Sequence, residues 1–223
     1  MNLKEFLEKL KKIAENEPKV YEAGVEKGKQ AEYDAFWDAY QGKGKLNVYY
    51  MKFHGAAGSI SWTNDIYNPK YEIDCTGHNQ YGASEVFYAS QYITDIKVPI
   101  NCSGVYMNNT FNGCVGLKRI PLLRVNENTT YRQTFLYCNA LEELTIEGTI
   151  AQNGLNLQWS TKLSRASIIS VINALSTTTS GLSVTLSKTA VNTAFEDGNA
   201  TGSESQEWET LIATKPNWAI NLV

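Results

Sequence analysis

The chain has 223 residues, with 20 basic and 23 acidic side chains and a formal net charge of −3. That length buries a sizeable core in one domain with a small appendage. The weakly acidic balance excludes the basic surface of a nucleic-acid binder, and no apolar run is long enough to span a bilayer. Four cysteines, none in a C-x-x-C pair, read as free thiols rather than a disulfide framework or a metal site. The 13 tyrosines and 5 tryptophans are many for this length. They read first as core residues and second as a binding surface.

Residues 1–45 stand apart by charge: nine lysines and nine acidic residues, against 25 charged residues in the other 178. Leu3, Phe6/Leu7, Leu10 and Ile13/Ala14 fall on an a/d-like seam. A helix with one narrow apolar stripe packs on copies of itself, on a partner or on its own domain. The expectation is a homo-oligomer built through Leu3, Phe6, Leu7, Leu10 and Ile13, with a trimer as the expected form. Pro18 suits the first turn of a second helical stretch, and Gly24 and Gly28 weaken it. Tyr33, Phe36, Trp37 and Tyr40 give 31–40 a renewed apolar face. Met1–Leu7 is charged throughout and has no apolar h-region, so no export signal is expected.

Gln41–Lys45 reads as a hinge. Residues 46–223 read as the main domain. Its first part, 46–80, with strands at 46–53 and 71–73, is expected to cap the open end of a solenoid that begins at 81. Residues 81–148 contain one pattern three times at a step of 24. Phe87, Phe111 and Phe135 share a position, as do Ser90, Cys114 and Cys138. So do Ile93, Leu117 and Leu141; Ile96, Ile120 and Leu144; and Val98, Leu122 and Ile146. Aliphatics at three- and two-residue steps within a period of 20–29 mark a leucine-rich-type solenoid. The alternating end of the unit predicts a short strand with those aliphatics inward. The Phe and the small Ser/Cys, three apart, predict a helical or 3₁₀ turn facing the same interior. One coil cannot bury its own apolar face, so like residues stack between coils.

The unit F-x-x-[SC]-x-x-[IL]-x-x-[IL]-x-[VLI] resembles the BspA-like leucine-rich repeat family. That family occurs in bacterial surface proteins and in proteins encoded by phages and prophages of gut Firmicutes. The segment from Tyr21 to Gln41 resembles the N-terminal region of phage and prophage proteins that carry such repeats. The resemblance implies an α/β solenoid of 24-residue coils with capping ends.

After 148 the period drifts. A strand is expected at 155–157 and a helix from the N-cap Ser164 through Leu175. A strand is expected next at 182–186, then a short helix at 189–195. The last elements are a helix at 204–213 and a strand at 218–222. This tail resembles the end of phage-encoded members of the family and would cap the far end of the solenoid.

A search for chemistry finds little. The two histidines, His54 and His78, lie in no spaced metal pattern, and no metal or cofactor is expected. No glycine-rich stretch matches a phosphate loop or a nucleophile elbow. Cys75 is the one thiol close in sequence to a histidine, His78, and a strand-end turn explains both. Asp65/Asp74 and Glu142/Glu143 have no sequence evidence placing them across a cleft. The expectation is therefore a protein that is not an enzyme. The segments 101–110 and 125–133, rich in Asn, Thr, Ser and Tyr, suit adaptable hydrogen bonding and ring stacking. Tyr106, Asn108, Tyr131 and Arg132 are the candidate ligand-binding residues.

With the family resemblance, the expected role is a phage or prophage structural protein. Its N-terminal helix would join tail or baseplate proteins, and its repeats would touch a host surface glycan or protein. The expected location is the virion if phage-encoded, and otherwise the cytoplasm. The alternative is a bacterial surface adhesin or protein-interaction module of the BspA-like type.

Overall fold

A computed structural model describes residues 46–47, 72–76, 80–91, 93–96, 98–196 and 202–223. The apolar seam Leu3–Ile13, the helical stretches up to Tyr40 and His78 lie outside the described residues, as does most of 46–80.

Five strands form one sheet in chain order, every pairing parallel. They are β1 (Leu46–Asn47), β2 (Ile73–Asp74), β3 (Ile100–Asn101), β4 (Arg119–Val125) and β5 (Glu143–Gly148). Neighbours in sequence are neighbours in the sheet, so each turn of chain lies beside the one before it. The register partners Leu46, Ile73 and Ile100 are 27 residues apart, and Ile120 and Leu144 are 24 apart.

Opposite the strands, the Phe/Cys segment departs from the expected helical or 3₁₀ turn. In a 3₁₀ helix each N–H bonds back three residues. Here every second N–H does so: Val86, Tyr88 and Ser90 donate to the carbonyls of Ala83, Glu85 and Phe87. The N–H groups between them cross to the next coil, where Glu85, Phe87 and Ala89 donate to Asn108, Thr110 and Asn112. The same set recurs 24 residues on, with Asn109, Phe111 and Gly113 donating to Arg132, Thr134 and Leu136. Left-handed backbone at every fourth residue turns alternate amides outward: Glu85 and Ala89, Asn109 and Gly113, Gln133 and Tyr137 all have φ between +54° and +78°.

Side chains return the connection. Thr110 Oγ1 donates to Ala83 O at 2.8 Å and Thr134 Oγ1 to Met107 O at 2.7 Å. Cys114 Sγ reaches Phe87 O at 2.9 Å and Cys138 Sγ reaches Phe111 O at 3.1 Å. The Phe rings stack between coils, Phe87 on Phe111 at 5.2 Å and Phe111 on Phe135 at 5.4 Å, both nearly parallel. All three rings are fully buried.

One expected ladder position shifts. Ile146 pairs with Leu123, not Leu122, and the register slips between Ile120 and Leu123. Leu123 is buried and Leu122 half-buried. Pro121 lies in the slip; it has no N–H to offer, and an extra residue in a strand belongs where such a residue interrupts the pairing.

The far edge of β5 meets a helix instead of another strand. Helix α1 (Arg165–Ala174) is N-capped by Ser164, whose hydroxyl accepts from Ser167 N–H. Its Ser167 and Ser170 hydroxyls accept from the N–H groups of Leu144 and Ile146 at 2.9 and 2.8 Å, which pairs an edge that would otherwise stay open. A second parallel sheet comes next, of β6 (Asn156–Leu157), β7 (Leu182–Leu186) and β8 (Trp218–Leu222). Between its strands run α2 (Lys188–Phe195), capped by Ser187, and α3 (Gln206–Ala213), capped by Ser205. Lys215, buried at the end of α3, donates through Nζ to Asn173 O and Leu175 O and so satisfies carbonyls at the C-terminal end of α1.

Two backbone positions test this arrangement. At Gly148, φ is +110° and an added Cβ would lie 1.9 Å from Val125 O. Gly148→Ala is expected to lower stability by about 3 kcal/mol or more in urea denaturation. Ala89→Gly gives the first coil the residue that the second already has at Gly113. It should raise stability by about 0.5–1 kcal/mol, the left-handed penalty less the entropy of glycine.

Candidate functional site

The outward face of the repeats is largely occupied by its own turns. Asp74 Oδ1 accepts from Thr76 N–H, Asn101 Oδ1 from Ser103, Asn126 Oδ1 from Asn128 and Asn156 Oδ1 from Gln158. The Asn-rich segments after the strands therefore use Asn101 and Asn126 to close local turns. The sheet's charges are paired as well: Arg119 with Glu143 at 3.0 Å, and Arg124 with Glu72 and Glu147. Glu143, half of the carboxylate pair Glu142/Glu143, faces an arginine. Among the described residues no cluster of three His, Cys, Asp or Glu could hold a metal ion.

The four candidate binding residues separate. Tyr131 is only 1% exposed, its ring lies in the core, and its hydroxyl makes no hydrogen bond among the described residues. Burial first, and then the neighbouring Cys102 thiol, raise its pKa, so it stays protonated. Tyr106 is half-buried and meets Tyr81 edge-to-face at 5.0 Å. Asn108 is half-buried too, and its carbonyl takes the Glu85 N–H. Arg132 is exposed, while its carbonyl accepts the Asn109 N–H at 3.0 Å.

Arg132 lines a groove of about 420 Å³ at the end of the regular coils. Tyr131 also contributes to its wall, whereas Tyr106 and Asn108 do not. One side is the segment Thr130–Gln133 with Leu136; the other is Asn153–Asn156, Trp159, Ser183 and Thr185. Asn153 is held in place because its Oδ1 accepts from Ser183 N–H at 2.8 Å. At the rim Trp159, 39% exposed, touches Tyr137, 47% exposed, with ring centroids 5.0 Å apart.

The groove opens where the coil-to-coil connection ends. In the first two repeats alternate N–H groups donate to the following coil. The equivalent N–H groups of Gln133, Phe135 and Tyr137 make no hydrogen bond among the described residues. The segment 149–160, which comes next in the chain, leaves the 24-residue step. Cys138 O still accepts, from Ser160 Oγ at 3.3 Å. Among the described residues the lining thus combines ring faces, amides, hydroxyls and one guanidinium, with no carboxylate, imidazole or thiol. That inventory suits binding of a polar ligand with ring faces.

Trp159, Tyr137 and Asn153 escaped sequence reading. Tyr137 does carry a signal: it stands next to the inward Cys138, at the step that runs from Ala89 and Gly113, and so is outward. Trp159 lies beyond the last clear repeat and has no periodic neighbour to place it.

The thiols are structural. Cys75, Cys102, Cys114 and Cys138 are free and buried. Cys75 neighbours Cys102 on the next coil; the hydrogen bond between these thiols, with burial, holds the Cys102 pKa well above its ordinary value. Burial pushes Cys114 up to about 12, and Cys138 is raised for the same reason. A raised thiol pKa in the folded state contributes stability that is intact below the unfolded value of 9.0 and is lost as pH rises toward 12. Urea midpoints measured from pH 7 to 11 should stay level to about 9 and then fall. A thiol reagent at pH 8 should find none of the four cysteines in the folded chain and all four in denaturant.

Compared with models of known families, with curated proteins and with solved structures, the chain finds no match.

Proposed function

We propose that the protein is a non-catalytic binding and attachment protein. In this reading residues 46–223 form a leucine-rich-repeat-type solenoid, and the groove beside Trp159 takes a host surface glycan. The observation that carries it is the groove itself: exposed indole and phenol rings beside amide, hydroxyl and backbone N–H donors. Sugar rings present apolar faces to aromatics and hydroxyls to such donors, so the two halves of the lining serve one ligand class. The ring faces, together with a lining free of acid–base groups, favour holding over turnover.

The attachment role rests on the repeat unit at Phe87, Phe111 and Phe135 and on the segment Tyr21–Gln41. Both resemble the BspA-like proteins of phages and prophages. We infer that the protein is a tail- or baseplate-associated structural protein. The seam at Leu3, Phe6, Leu7, Leu10 and Ile13 joins it to copies of itself or to neighbouring tail proteins.

Two measurements test this. On an array of neutral and acidic oligosaccharides the full chain should bind a restricted set, and Trp159→Ala should lose at least about tenfold in affinity at an unchanged melting temperature. An array without any binding, or binding untouched by that substitution, removes the groove from function. Light scattering should give an oligomer for the full chain and a monomer when Leu3, Leu7 and Leu10 are all changed to Lys. A monomeric full chain at micromolar concentration ends the self-association reading.

A further inference from the structure

The sequence contains four arginines, and three of them are neutralised in the structure. Arg119 pairs with Glu143, Arg124 with Glu72 and Glu147, and Arg165 with Glu207 while lying 5.5 Å from the Phe195 ring centroid. Arg132 has no acidic partner and no ring contact among the described residues. It is also the one charged residue lining the groove among the described residues. Its backbone is held by the Asn109 N–H on one side and by the left-handed Gln133 on the other. Arg132 therefore lines the groove from a fixed backbone, beside no carboxylate among the described lining residues.

A second, independent feature points the same way. The N–H groups of Gln133, Phe135 and Tyr137 have no acceptor among the described residues, because the following segment leaves the repeat step. Gln133 lines the groove, and Tyr137 touches Trp159 at its rim. Unpaired amide donors beside a guanidinium form a positive local field, although the chain as a whole carries a formal charge of −3. Such a field favours an acceptor-rich, negatively charged group.

We propose that the groove selects an anionic sugar, whose acid group pairs with Arg132 while a ring face rests on Trp159. This rests on the glycan reading above and names the class of glycan. The shared chemistry is a planar or tetrahedral oxyanion on a pyranose; a guanidinium fork accommodates a carboxylate or a phosphate.

The experiment is calorimetric titration of the full chain with three probes: an α-1,4-linked trigalacturonate, galactotriose of the same linkage, and a phosphomannosyl trisaccharide. An acidic probe should bind at least about tenfold more tightly than galactotriose, and the preference should weaken as salt is raised. Arg132→Gln should bring acidic and neutral probes to equal affinity, with Arg132→Lys between, at an unchanged melting temperature because the side chain is exposed. The stronger of the two acidic probes identifies carboxylate or phosphate as the source of the charge. If galactotriose binds as well as the acids, or Arg132→Gln changes nothing, the anion inference is overturned while the glycan reading stands. If no probe binds and the wider array is also blank, both fall.

Discussion

The stack of coils depends on the alternation of amide directions in the Phe/Cys segments. A backbone segment that bonded only to itself would leave neighbouring coils joined by their short strands alone, and β2 and β3 have two residues each. Left-handed backbone at every fourth residue turns half of the amides outward, so that this segment of each of the first two repeats donates three N–H groups to the next. The next coil returns a threonine hydroxyl and a cysteine thiol to the carbonyls. Holding non-glycine residues in that conformation costs roughly 1–2 kcal/mol each. The pairing of buried amides and the stacking of Phe87, Phe111 and Phe135 offset the cost.

The same connection explains where the groove lies. Inside the stack the outward amides of the first two repeats have acceptors, and Asn101 and Asn126 close their own turns. The groove opens where the step of 24 stops. After Cys138 the chain supplies Ser160 to one carbonyl but no acceptor among the described residues to the outward amides of Gln133, Phe135 and Tyr137. The sheet edge at β5 is closed by Ser167 and Ser170 of α1, so the two faces of the third coil end differently. The strand face is sealed by a helix, and the opposite face opens into the groove beside Trp159.

The charges obey the same logic of position. Arg119 and Arg124 stand on the regular sheet, where register neighbours supply Glu143 and Glu147. Arg132 stands one residue before a left-handed position, on the turn side of its coil, and lines the groove rather than the sheet. Four arginines in one chain thus divide between pairing with glutamates and lining the groove, by which face of the coil they occupy.

Much of this was legible in the residues. The 24-residue step identified the inward Phe, Cys and aliphatic positions, because stacking makes each coil repeat the burial of the last. The cap Ser164 marks a helix start by a local hydrogen bond that needs no tertiary context, whereas the caps Ser187 and Ser205 did not stand out beside helices expected from 189 and 204. The exchange of Leu123 for Leu122 was not legible, since a slip at Pro121 is settled by the register of the neighbouring strand. Nor were the left-handed positions: Glu, Asn and Gln at one of them, and Ala, Gly and Tyr at the other, share no propensity. Tyr131 reads as a surface residue among Asn and Thr, but the packing of the coil turns it inward. The groove belongs to the tertiary structure alone, because Thr130–Gln133, Asn153–Asn156, Trp159, Ser183 and Thr185 meet only when the repeat ends and the second sheet lies beside it.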